Sequence, residues 1–155
     1  MIENADYWLA RLNDLDSRGL QDALGIRITE LSPQRVTATM PVDARTRQPF
    51  GLLHGGASVA LAETLASIGA LSNIDPTRFS AVGVEINANH LRGKRDGNVR
   101  GTASPIHLGR STHVWSIEIV DEAGRIICIS RCTLAIVPIP EKALPTATGL
   151  DSNTK

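Results

Sequence analysis

The chain has 155 residues, of which 42 % are apolar, and its sixteen basic side chains are balanced by sixteen acidic ones. That length suits one domain with its own core. The charge balance excludes a whole-surface attraction to nucleic acid or anionic membrane. The N-terminal stretch lacks the unbroken apolar core of a signal peptide, and no run reaches the ~18 apolar residues of a membrane span, so a cytoplasmic protein is expected.

In chain order, Tyr7, Leu9, Leu12 and Leu15 with Trp8 predict a short amphipathic helix within residues 1–20, ending near Gly19. Leu20, Leu24 and Ile26 then lead into an extended segment. Residues 35–42 alternate Val36, Ala38 and Met40 inward against Thr37 and Thr39 outward, a strand. Residues 43–50 form a polar loop carrying Pro49, and an almost wholly apolar helix runs from His54 or Gly55 to about Asn73, closed by Asp75-Pro76. A helix without a solvent face is surrounded by protein, either a wrapping sheet or a subunit interface.

Four strands follow, over residues 80–90, 98–103, 112–121 and 125–137, the last two joined by the turn Asp121-Glu122-Ala123-Gly124. One long helix followed by antiparallel strands is an α+β arrangement. Cys128 and Cys132 share a strand face about 13 Å apart, too far for a disulfide, and read as two small buried hydrophobes in a reducing compartment. The domain is expected to end at residue 137, with 138–155 a flexible Pro- and Thr-bearing tail.

The chemistry concentrates on the helix. Glu63 is its one carboxylate, and its helical neighbours Gly56, Val59, Ala60, Ser67 and Ala70 are mostly small, leaving room for a ligand or another backbone, while Leu61, Leu65, Ile68 and Leu71 can fill a core. Gly55 and Gly56 open the helix, so their N–H groups lack intrahelical acceptors, lie at the positive end of the macrodipole and can polarise a docked carbonyl. Eight residues separate Gly55 from Glu63, about 12 Å along the axis. The two can hardly converge on one carbonyl, so an antiparallel helix from a second subunit would complete the site.

The segments QPFGLLHGGASVALAET (residues 48–64) and VGVEINANHLR (residues 82–92) resemble the hotdog-fold acyl-CoA thioesterases. The nearest branch contains one type of 4-hydroxybenzoyl-CoA thioesterase and the 1,4-dihydroxy-2-naphthoyl-CoA hydrolases. The resemblance implies a long helix wrapped by an antiparallel sheet, in homodimers or dimer-of-dimers tetramers with active sites between protomers. It implies Glu63 as nucleophile or general base and the facing Gly55 N–H as oxyanion donor. Gln48 would position thioester or water, and His54 and Ser67 would line the pocket. Substrate contacts would include Phe50, Gly56, Thr64 and Gly83. The loops His90, Leu91, Arg92, Gly93 and His107, Leu108, Gly109, Arg110, Ser111, Thr112 would meet coenzyme A, with Lys94 and Arg95 adding positive charge for its phosphates.

Hydrolysis of a thioester needs an oxyanion clamp and a carboxylate that either attacks or activates water. A thiolate leaves readily, and neither a Ser/His/Asp triad nor a metal-ligand spacing is present in the sequence, so no cofactor beyond the substrate's own coenzyme A is expected. Phe50, Leu53, Val59, Ser67 and Ile68 would shape the acyl pocket, for an aryl or other compact group. Glu85 and Asn87 read as a polar strand face without a catalytic role. A noncatalytic acyl-CoA binding module and a hotdog enoyl-CoA hydratase are the alternatives; the latter wants an Asp/His pair that is not evident around the helix.

Overall fold

The computed structural model describes residues 12–13 and 19–140. Most of the expected N-terminal helix, and the tail beyond residue 140, lie outside these described residues. The elements are α1 (Leu20–Ala23), β1 (Arg27–Ser32), β2 (Arg35–Pro41), α2 (Gly55–Leu71), β3 (Phe79–His90), β4 (Asn98–Leu108), β5 (Thr112–Asp121) and β6 (Ile126–Pro138). The strands form one antiparallel sheet in the order β1-β2-β4-β5-β6-β3. Helix α2 lies across it and meets β2 through β6.

Leu61, Ala62, Leu65, Ala66 and Ala70 of α2 are fully buried against Met40, Val99, Ala103, Trp115, Ile117, Ile119 and Leu134 of the sheet. Two glycines set how closely the layers approach. A Cβ on Gly69 would lie 2.6–2.8 Å from the Trp115 ring, and one on Gly101 would lie 2.7 Å from Leu65 Cδ1. Neither Cβ fits without displacement.

Several expectations are corrected. Leu20–Ala23 is a helical turn rather than the start of an extended segment; Gly25 ends it with φ +69°, and extended chain begins at Arg27. Helix α2 stops at Leu71, two residues before Asn73, because the Ser72 hydroxyl and the Asn73 amide both donate to the Gly69 carbonyl at 2.8 Å. Thr37 faces outward as expected but is covered: its hydroxyl donates to Glu30, 3.1 Å away. Strand β4 continues five residues past Ala103, because a register shift between Pro105 and His107 absorbs the proline.

The helix is not surrounded by its own chain. Gly56, Glu63 and Leu71 are exposed and Val59, Ala60, Thr64 and Ser67 half-buried, so one side of α2 faces outward. Leu71, expected in the core, is 44 % exposed. The turn between β5 and β6 forms as predicted, with Gly124 at φ +75° and the Asp121 carboxylate accepting from the Ala123 and Arg125 N–H groups. Cys128 and Cys132 are both free and buried. No helix among the described residues is long and apolar enough to cross a membrane.

Candidate active site

The start of α2 is built by its cap. His54 is extended, and its Nδ1 accepts the Gly56 N–H at 2.8 Å. The His54 carbonyl accepts from Ala57 at 3.0 Å and Ser58 at 3.3 Å. Of the two glycine N–H groups expected to be open, Gly56's is therefore taken, and Gly55's alone is left without an acceptor among the described residues. His54 thus serves the helix terminus with the nitrogen that faces it.

Around this N–H the loop before α2 and the chain after β3 pack side by side. Leu53 N–H donates to Lys94 O at 2.7 Å and His54 N–H to Thr46 O at 2.8 Å. A Cβ on Gly55 would lie 2.9 Å from His90 Nε2, so the His90 imidazole sits directly over the glycine, and a Cβ on Gly93 would lie 3.2 Å from the Leu52 side chain. Gln48 closes the loop: its side-chain oxygen accepts the Phe50 N–H, its backbone N–H donates to Leu52 O, and its carbonyl accepts from Gly51. Phe50 is 84 % exposed at the loop's tip. Gln48, Phe50, His54, Gly55, Gly56 and His90 to Gly93 therefore share one end of the helix.

Glu63 stands two turns further on, exposed, with its carboxylate against Gly83 of β3: Oε1 is 2.8 Å from where a Gly83 Cβ would be. Thr64, on the next position, turns its hydroxyl back to the Ala60 carbonyl at 2.7 Å. Cys132 lies beneath, paired with Ile86 across the β3–β6 ladder. Burial and then the nearby Glu63 and Glu85 carboxylates push its thiol up to about 11, so it stays protonated at neutral pH and is no nucleophile.

The second predicted coenzyme segment is elsewhere. His107 and Leu108 end β4, Gly109 to Ser111 form the turn closed by a Gly109 N–H to Thr112 O bond of 2.9 Å, and Thr112 begins β5. Leu108, Gly109 and Arg110 line a depression of about 330 Å³ with Asn73, Ile74 and Asp75, which follow the C-terminal end of α2. One chain therefore does not bring the two segments together; they lie at opposite ends of a 17-residue helix.

The cations also differ from expectation. Lys94 is neutralised by Glu122 at 2.5 Å and is not free for a phosphate. Arg92 Nη1 donates to Ile126 O at 2.9 Å, which orients its guanidinium and leaves the remaining N–H groups open. Arg95 and Arg110 have no ion-pair partner among the described residues.

A long helix laid on an antiparallel sheet defines the hotdog thioesterase fold, and similarity to proteins named as thioesterases makes the chain a thioester hydrolase. Residues 50–128 match the Thioesterase superfamily, and the chain belongs to it. It is 47 % identical over 137 residues to the 1,4-dihydroxy-2-naphthoyl-CoA hydrolase of Escherichia coli K12, covering 88 % of this chain and all of that one. It is 49 % identical over 138 residues to the proofreading thioesterase EntH of Cronobacter turicensis, covering 88 % and 99 %. A crystal structure of a point-mutant form of thioesterase PA1618 from Pseudomonas aeruginosa superimposes with a TM-score of 0.82 at 50 % identity, over 84 % of this chain and 94 % of that one.

Proposed function

We propose that the protein hydrolyses aryl- or similarly compact acyl-CoA thioesters to the free acid and coenzyme A, at sites shared by two antiparallel copies of the chain. The observation that carries this reading is the isolation of the Gly55 N–H, left open while His54 caps its neighbour, in a helix whose one carboxylate is exposed. The naphthoyl-CoA named for the Escherichia coli relative supports an aryl group.

Gly55 and Glu63 are about 12 Å apart along one helix, so a single copy does not bring them to one carbon. An antiparallel partner places its Glu63 toward the Gly55 end of this chain, and its His107 to Thr112 segment toward His90 to Gly93. Strand β3 supports such pairing: it is an edge strand of 12 residues, with Val82 49 % and Val84 65 % exposed. Two such dimers would make the tetramer.

In that site the thioester oxygen accepts from Gly55 N–H, where one oriented donor is worth roughly 3 kcal/mol as the oxyanion develops. Glu63 either attacks the thioester carbon, expelling the coenzyme A thiolate and forming a mixed anhydride that water opens, or takes a proton from the attacking water. Gln48 positions thioester or water, while Arg92, Arg95 and Arg110 meet the phosphates.

The test is release of free coenzyme A, followed with a thiol reagent, from benzoyl-, hydroxybenzoyl-, phenylacetyl-, hydroxynaphthoyl- and straight-chain acyl-CoA. Glu63→Gln should lower kcat at least about a hundredfold with the fold intact. Turnover close to that of the natural chain would remove Glu63 from this role, and binding without turnover on any thioester would leave a noncatalytic module.

A further inference from the structure

We infer that Gly83 is a positioning residue for Glu63, its missing side chain being the space in which the carboxylate is held. The inference rests on the catalytic role proposed for Glu63. A glycine inside a strand weakens it, so its presence at the middle of β3 wants a cause. Backbone conformation is not that cause: among the described residues the glycines with positive φ are Gly25, Gly51, Gly97 and Gly124, and Gly83 is not one of them.

The register shift of β3 against β6 lies here, with Gly83 opposite Leu134 and Glu85 opposite Thr133, so that Val84 is the extra residue. A bulge of this kind does not itself demand glycine when φ is negative. What does occupy the position is Glu63, whose Oε1 lies 2.8 Å from the ideal Cβ, closer than real Cβ atoms approach such an oxygen. The other atom within reach of that Cβ is the Glu63 carboxyl carbon at 3.9 Å. The bulge and the glycine together form a notch in the sheet edge, and the notch fixes where the carboxylate rests before substrate arrives.

Alanine at this position therefore meets the far end of a flexible side chain, and the fold can yield simply by letting Glu63 swing away. The consequence falls on chemistry, because a displacement of about 1 Å at a reacting group can cost a hundredfold in rate. A residue that merely stabilised β3 would lower the amount of folded enzyme; the substrate contact that the resemblance also implies for Gly83 would, if alanine disturbed it, raise KM, whereas a displaced Glu63 lowers kcat.

The experiment is a double-mutant cycle of Gly83→Ala and Glu63→Asp, with Glu63→Gln beside it, reading kcat and KM on the best aryl-CoA substrate and helix content by circular dichroism. Gly83→Ala should lower kcat by roughly ten- to a hundredfold with KM within about twofold. Aspartate is shorter and vacates the notch, so adding Gly83→Ala to Glu63→Asp should cost nothing further. A Gly83→Ala enzyme with unchanged kcat, an effect confined to KM, or losses that multiply in the double variant would each overturn the inference. If Gly83→Ala alone fails to fold, the double variant decides, since equality with Glu63→Asp supports the notch and a further tenfold loss overturns it. Retained turnover in Glu63→Gln would instead remove the catalytic reading on which the inference stands.

Discussion

At the scale of single residues, two carboxylates in this chain have opposite employment. Glu63 is open; Glu122 is fully engaged, accepting from Lys94 Nζ and from the Asn98 N–H, both at 2.5 Å. The Lys94 hydrogen bond, and then the Asn98 one, hold the Glu122 carboxyl at about 2 against an ordinary 4.5. A pKa depressed in the folded chain means stability that is present above the unfolded value and lost as pH falls from about 4.5 toward 2. In urea titrations the gap between the natural chain and Glu122→Gln should accordingly be widest at neutral pH and close on acidification through that window. A gap of constant size would mean that the ionised carboxylate is not its source. Sequence alone put Lys94 among the phosphate ligands, because its partner lies 28 residues away on another turn and no local spacing announces the pair.

Among elements, the contact between α2 and the sheet depends on what is missing at Gly69. Alanine is the better helix former by about 1 kcal/mol, so propensity alone favours Gly69→Ala. The Trp115 ring, fully buried and within 2.8 Å of the new Cβ, opposes it. Overpacking of this kind costs about 1–3 kcal/mol, and we expect the ring to win, with a lower urea midpoint for Gly69→Ala. A more stable variant would show that the helix can ride away from β5 at little cost. The helix and the late strands were legible because their apolar patterns persist for ten residues or more, and the turn at Asp121 to Gly124 because a glycine with positive φ belongs there. Boundaries were less so: the bulge after Pro105 and the side-chain bonds of Ser72 and Asn73 are geometric events that alternation does not encode. The contact of Glu63 with Gly83 was hidden for a further reason. It exists only because β3 lies at the sheet edge beside β6, far from its sequence neighbours in the strand order.

For the whole molecule, the separation of Gly55 from Glu63 along one rigid helix divides each proposed site between two polypeptides, and this has a genetic reading. A chain carrying Glu63→Gln would be inactive as a homodimer. So would a chain carrying Gly55→Pro, since proline is at home in the first helical position yet lacks the N–H, although His90 must swing aside to admit it. Two dead alleles refolded together, however, would scramble into hybrids in which both lesions fall on one site and the other site is wholly natural. With random pairing half the dimers are hybrids with one good site of two, so the mixture should regain about a quarter of the natural activity. Silence from the mixture, with hybrids demonstrated by a mass-tagged subunit, would mean that each chain works alone. Such complementation would turn a distance within one helix into a rule of inheritance: two defective copies of this gene would together supply an activity that neither supplies by itself.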